Sequence, residues 1–262
     1  MKILILLLQL LLILLLNNTI VSYDNSNNDN KEVVDISTYI KSNSNISILE
    51  LQEELIKNNN LSLNHINDDG STLLHVLATY NHLNLIQYII NNIDTTTTNL
   101  YEYINKQDKY GDTCIHKACF NNFIDIVTFL KMNQADISIT TNVGVSPLHS
   151  ASYKGNDRIV ELLVKEYQVP INIKTHSGAV PLHYAVGQGH LSTVILLGDL
   201  GANVDEVNKD NITALHIALK QKRIEIARSL IHTFGAKMDI KNNKGETAQD
   251  YDILSSVLEK DL

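Results

Sequence analysis

Five histidines, His75, His116, His149, His183 and His216, recur along the 262-residue chain, and a hydroxyl residue stands three positions before all but one of them. Imidazole is a metal ligand and a proton carrier near neutral pH, so such a column opens the reading of a metal-dependent enzyme. The spacings are 41, 33, 34 and 33 residues, and they count against that reading. Stacked helical units stand about 8–10 Å apart, whereas ring nitrogens on one zinc ion must each lie about 2 Å from it. A structural role is the better reading: each ring bonds to the capping hydroxyl beside it and to neighbouring turn backbone, tying one unit to the next. HExxH, GxSxG, P-loop and GxGxxG patterns are absent, and Glu53 and Glu54 are consecutive, so their side chains diverge on a helix. No catalytic, cofactor-binding or metal-binding residue is therefore nominated, and no cofactor is expected. Cys114 and Cys119 lie five apart, a poor geometry for a disulfide within one helical turn, and are read as buried, inert thiols.

The elements that hold the column repeat with it. The stretches DGSTLLHVLATYNH (69–82), YGDTCIHKACFNNF (110–123), VGVSPLHSASYKGN (143–156), SGAVPLHYAVGQGH (177–190) and DNITALHIALKQKR (210–223) align in phase. Thr72, Thr113, Ser146 and Thr213 sit where a hydroxyl caps a helix, and Pro147 and Pro181 follow at the first helical position, where no N–H is needed. Val180 breaks the rule and predicts a poorer cap. Asn81, Asn122, Gly155 and Gly189 suit a left-handed helix stop, a slot in which Lys222 is unfavourable. Each first helix is followed by an apolar stretch of period 3.6, among them LNLIQYII, IDIVTFLK and IEIARSLI, and His82 and His190 open two of these second helices in structural roles. Each buried Leu or Ile contributes roughly 1.5–3 kcal/mol. One unit cannot cover its own stripe, so the units must stack. Turns of positive φ fall at Gly70, Gly111, Gly144, Gly178 and Gly245, with Asn211 in the remaining slot.

This phrase and period resemble the ankyrin repeat, whose core reads Gly, any residue, Thr-Pro-Leu-His, any residue, Ala; SPLHSA and VPLHYA carry it most plainly, and GANV at 201–204 resembles its closing phrase. The expected fold is all-α: an ankyrin-repeat solenoid of stacked helix-turn-helix units joined by β-hairpin-like loops. Five repeats are expected over residues 67–241. Residues 33–66 read as a degenerate N-terminal capping unit, and residues 242–262 as a polar C-terminal one, with Gln249 and Asp250 replacing Leu and His. The polar DTTTTNLYEY insertion accounts for the longer first spacing and is expected to loop or to lengthen a helix end.

The resemblance implies a protein-binding scaffold, acting through the concave side formed by hairpin tips and exposed first-helix residues. Candidate contacts are Tyr80, Lys109, Tyr110, Phe120, Val143, Tyr153, Lys154, His176, Gln188, Lys209 and Lys220, with Tyr110, Phe120 and Tyr153 as aromatic anchors. A net charge of −8 with no Lys/Arg block disfavours nucleic acid. The expected partner is a protein of unspecified identity, and the chain is expected to be a monomer.

At the start, Lys2 precedes the apolar run Ile3–Leu16, interrupted by Gln9. Residues 1–22 read as a signal peptide and 23–32 as a disordered linker, which directs the protein to secretion or to a secretory-pathway lumen. The alternative is an uncleaved anchor and a membrane-bound adaptor; a membrane is implied only in that case. Asn45, Asn60 and Asn211 begin N-glycosylation triplets, as does Asn17 inside the leader.

Overall fold

A computed structural model describes residues 69–93 and 99–258. The leader 1–22, the linker 23–32, the unit 33–66 with Asn45 and Asn60, the Thr-rich part of the insertion and the last four residues lie outside the described residues.

The regular elements among the described residues are helices, arranged as successive pairs. The first pair is α1 (Leu73–Thr79) with α2 (Leu83–Asn92), followed by a short α3 (Leu100–Ile104). Then come α4 (Cys114–Phe120) with α5 (Ile124–Met132), α6 (Pro147–Lys154) with α7 (Asp157–Glu161), and α8 (Pro181–Gln188) with α9 (Leu191–Asp199). The series ends in α10 (Ala214–Lys220) with α11 (Ile224–Arg228), a 3-10 turn at Ala248–Asp250 and α12 (Leu254–Leu258). First helices of seven or eight residues are too short to persist alone. They are held by their caps and by one another, α1 on α4, α4 on α6, α6 on α8 and α8 on α10.

The alanine of the repeated phrase shows how. Ala78, Ala118, Ala151, Ala185 and Ala218 are all fully buried, and the residue before each histidine, Leu74, Ile115, Leu148, Leu182 or Leu215, is buried beside it. A small side chain at each crossing lets adjacent first helices approach closely, while the larger one fills the layer between units. Cys114 and Cys119 are free and buried in the same layer; burial pushes both thiols up, Cys114 to about 12, so neither is nucleophilic at neutral pH.

The insertion forms a helix of its own rather than extending α2. Asn99 caps α3 by accepting from the N–H groups of Tyr101 and Glu102, and Tyr103 and Ile104 are buried against the core. Two apolar residues at its end give the polar insertion a foothold that a loop would lack.

The alternation of 33 and 34 in the repeat length also has a structural cause. Helices α7 and α11 continue into π-helical turns at Leu162–Glu166 and Ser229–Thr233, marked by Tyr167 N–H bonding to Leu162 C=O and Phe234 N–H to Ser229 C=O. A π turn absorbs one extra residue and leaves the next hairpin in place. From the start of the second helix to its left-handed stop, the units ending at Gln168 and Gly235 are one residue longer than those ending at Gln134 and Gly201.

The helix stops adopt positive φ as expected: Asn81 at 63°, Asn122 at 63°, Gly155 at 73°, Gly189 at 85° and Lys222 at 57°. At Gly189 space is a second requirement, because a Cβ there would collide with the Arg223 guanidinium. Lys222 is exposed and keeps its Cβ in this strained region. Replacing Lys222 by Gly or Asn should raise stability by about 1 kcal/mol, read as a higher urea midpoint at unchanged slope; a fall in the midpoint would mean that the Lys222 side chain makes a stabilising contact.

Candidate functional site

Each histidine stands at the third position of its first helix, where a Glu or Gln often reaches back to the capping residue. Here the imidazole does so. Nδ1 accepts the cap residue's backbone N–H from Thr72 (3.1 Å), Thr113 (3.2 Å), Ser146 (3.2 Å), Val180 (3.0 Å) and Thr213 (3.2 Å). Where the cap carries a hydroxyl, its oxygen lies 2.7–2.9 Å from the same nitrogen. Val180 lacks that contact and fills the site with a buried side chain, so its helix keeps only the imidazole half of the cap.

Because Nδ1 faces a donor, the proton must reside on Nε2. From there it is donated to a backbone carbonyl of the next unit: His75 to Asp112 (2.9 Å), His116 to Val145 (3.2 Å), His149 to Ala179 (3.1 Å), His183 to Ile212 (3.1 Å) and His216 to Glu246 (3.2 Å). Those carbonyls already close the hairpin turns, accepting from the N–H of Asp108, Thr141, Thr175, Asn208 and Asn242. Each uses both lone pairs. Asp250 occupies the sixth slot, and its carboxylate accepts from the Thr247 N–H (2.6 Å) and hydroxyl (3.0 Å). It performs the inward half of the cap and has no proton to pass outward, so the column ends there.

Both ring nitrogens are thus engaged, leaving no lone pair for a metal ion. Among the described residues no group of three or more His, Cys, Asp or Glu is placed to hold one. Burial depresses the imidazole pKa, to about 4 for His116, His149 and His183, and downward for His75. These four rings are neutral at physiological pH.

The residues nominated as contacts gather along the edge this column supports. Hairpin tips form a continuous backbone ladder, with Lys109 N–H bonding to Asp69 C=O, Asn142 to Tyr110, His176 to Val143, Lys209 to Ser177 and Asn243 to Asp210. At Gly144 an added Cβ would come within 2.6 Å of the His176 nitrogen, which is how closely consecutive tips press. The ladder presents Lys109, Tyr110, Val143, His176 and Lys209 to solvent, and the first-helix ends present Tyr80, Phe120, Tyr153, Lys154, Gln188 and Lys220.

Of the three aromatic anchors, Phe120 and Tyr153 stack with ring centroids 6.0 Å apart, and Lys154 Nζ lies 4.6 Å above the Phe120 ring. Tyr110 stands apart on its tip, with Lys109 Nζ 5.1 Å from its ring. A residue not singled out from the sequence, Tyr184, continues the row edge-on to Tyr153 at 6.3 Å. It follows the histidine in the repeated phrase. The same slot in other units supplies Val76, Lys117 and Ser150 to a groove of about 390 Å³, which Tyr80 and Phe120 also line. That periodic slot is the signal by which Tyr184 could have been found. Lys117 spans the groove wall, pairing with Asp108 (2.9 Å) and Asp112 (2.7 Å).

A second set of inter-unit bonds was not anticipated. The residue opening the second helix in three of the units reaches back to the preceding first helix: Asn156 Nδ2 to the Cys119 (2.8 Å) and Phe120 (3.1 Å) carbonyls, His190 Nε2 to Tyr153 (3.0 Å) and Arg223 to Gly187 (2.8 Å), whereas Phe123 in that slot has no polar side-chain atom. His82 holds the same slot in the first unit; its Nε2 is buried with no partner among the described residues. Asn211 is an exposed tip residue at φ 54° whose amide donates to Asn243 Oδ1 (2.8 Å), while Thr213 of its triplet is buried.

A family model described as Ankyrin repeats matches in three copies, over residues 39–141, 98–175 and 148–242. The chain is 33% identical over 157 residues to SMC5-SMC6 complex localization factor protein 1 of Bos taurus, covering 59% of this chain and 12% of that protein. It is 27% identical over 183 residues to the nuclear factor NF-kappa-B p105 subunit of Gallus gallus, covering 69% and 18%. To the probable 26S proteasome regulatory subunit p28 of Saccharomyces cerevisiae it is 28% identical over 197 residues, covering 75% and 69%. The chain therefore spans less than a fifth of the length of the first two.

Between the depressed pKa values near 4 and the ordinary 6.5, the folded chain binds fewer protons than the unfolded one. The associated stability is fully present above pH 6.5 and is lost as pH falls through that window, on the order of 3 kcal/mol for each of His116, His149 and His183. Urea titrations at successive pH values should show this loss, and His149→Gln should flatten its slope by the share of one ring; a pH-independent midpoint from 6.5 to 4 would contradict it.

Proposed function

The chain belongs to the ankyrin-repeat family, and on that premise we propose that it docks a protein partner along the hairpin-tip edge and the exposed ends of its first helices, without catalysing a reaction. Ankyrin repeats imply a protein–protein interaction scaffold. The observation that carries the finer reading is the row Phe120, Tyr153 and Tyr184, spanning three consecutive units beside the groove with Lys154 over its first ring. Phe120 and Tyr153 are 39% and 37% exposed, an apolar area that contributes more when a partner covers it than it does to the fold. Relatives whose names place them with the SMC5-SMC6 complex and the 26S proteasome support a role within assemblies.

The leader extends this proposal to compartment. One lysine followed by the apolar run Ile3–Leu16 and then a polar segment supports entry into the secretory pathway, with the mature chain starting near Tyr23. Glycan at Asn211 would have to be added before its unit folds, since folding buries Thr213 and commits its hydroxyl to His216.

Phe120→Ala should shift thermal stability little while weakening capture of the bound partner by about 2 kcal/mol. Extensive unfolding with no selective loss of binding would refute the assignment of this face. For the compartment, mass mapping of protein from its native source should find a mature N-terminus near residue 23 and glycosidase-sensitive Asn45, Asn60 or Asn211; intact Met1 on unmodified protein rules it out.

A further inference from the structure

We propose, building on the reading that this edge docks a protein, that its occupant is an extended acidic segment carrying one aromatic or aliphatic side chain. The chain as a whole is acidic, at −8, yet the docking edge is not. Lys109, Lys154, Lys209, Lys220, Lys222 and Lys244 are exposed on tips and first-helix ends, and none makes an ion pair among the described residues.

Carboxylates near them are already engaged. Asp112 holds Lys117, Asp69 accepts the Ser71 N–H at 2.9 Å, and Glu246 accepts from Asn242 at 2.8 Å. Asp210 is the acid left open on a tip. The exposed acids Asp125, Glu161, Asp199 and Glu225 lie instead on the second helices. The second helices also carry Arg158 and Lys165, and Glu161 and Glu225 are paired there with Lys165 and Arg228, so that side holds both signs while the unpaired lysines gather on the edge with the aromatic row. Such a distribution favours an anionic ligand on the edge that carries the unpaired lysines.

Spacing narrows the ligand further. The tip ladder passes from unit to unit in single backbone bonds, with units about 8–10 Å apart. An extended peptide advances roughly 3.3 Å per residue, so about three of its residues pass each unit, and its carboxylates meet lysine on the units of His116, His149 and His216 but not on that of His183 between them. The stacked Phe120 and Tyr153 rings, with Lys154 over the first, provide one apolar seat within that row. Single-stranded nucleic acid asks for a continuous basic groove that follows every phosphate, whereas these lysines are solitary and interspersed with Val143, Gln188 and Asp210.

The test is selection of phage-displayed random peptides on the full chain, followed by affinity measurement of the enriched peptides by fluorescence anisotropy at low and high salt. Selected peptides should be rich in Asp and Glu, spaced by about three residues or a multiple of that, around one Phe, Leu or Trp, and their binding should weaken as salt rises. The double charge reversal Lys154→Glu with Lys209→Glu should lower their affinity on the order of tenfold with the melting temperature unchanged, since neither lysine contributes an ion pair to the fold. Neutral or basic winners that still lose affinity in Phe120→Ala would overturn the acidic occupant and leave the docking face standing. Winners indifferent to Phe120→Ala and to the charge reversals would remove the docking face as well. An oligo-dT probe binding more tightly than any selected peptide would overturn the proposal in favour of nucleic acid.

Discussion

The whole array depends on a neutral imidazole fixed in one tautomer. Nδ1 must accept from the cap of its own helix, and Nε2–H must donate to the carbonyl that closes the next hairpin. The first bond does not survive protonation of Nδ1, because an imidazolium would set N–H against the N–H of the cap, although Nε2–H could still donate. The same ring therefore caps a helix too short to persist alone and locks it to its neighbour. An amide could imitate one of these bonds, but a planar ring with nitrogens on opposite sides spans both in a single buried side chain. Where Asp250 replaces the histidine, the first bond remains and the second has no donor. A unit carrying Asp there keeps its own cap and offers no imidazole proton to a further hairpin.

Locking by backbone, by buried groups and by the tip asparagines Asn142, Asn211 and Asn243 leaves the lysine and aromatic side chains of the edge free of structural duty. The tip ladder uses main-chain N–H and C=O groups, and the turns are closed by side chains that bond their own backbone, such as Asp108, Asn208 and Asn242 through their Oδ1 atoms. Lysines and aromatic rings at the same tips and helix ends take no part in either. This separation allows the exposed edge to vary from unit to unit while the frame repeats, and it accommodates lysines and aromatic rings there on an acidic chain.

Tolerance of irregularity comes from the same arrangement. Two units carry an extra residue in the second helix and absorb it as a π turn, so that the following cap, histidine and hairpin stay in register. The insertion after α2 is taken up before the next hairpin begins, with α3 seated through Tyr103 and Ile104. In both places the added residue lies in the segment between one histidine bond and the next. Outside that column the chain is free to lengthen.

Much of this was written in the residues themselves. Period, caps, helix stops, positive-φ turns and the structural role of the five histidines could be read because each is a local requirement of backbone geometry, satisfied within a dozen residues. The departure of the sixth copy from the repeated phrase is likewise legible as Gln249 and Asp250 in place of Leu and His. Only the tertiary structure decided which carbonyl each ring reaches, that Asn156, His190 and Arg223 reach back in a second ladder, that Tyr184 joins Phe120 and Tyr153, and that Lys154 lies over a ring of the preceding unit. Those contacts join residues about 30 positions or more apart. They depend on the rotation and separation of neighbouring units, which the packed layer of alanines and leucines sets collectively and which no single stretch of sequence encodes.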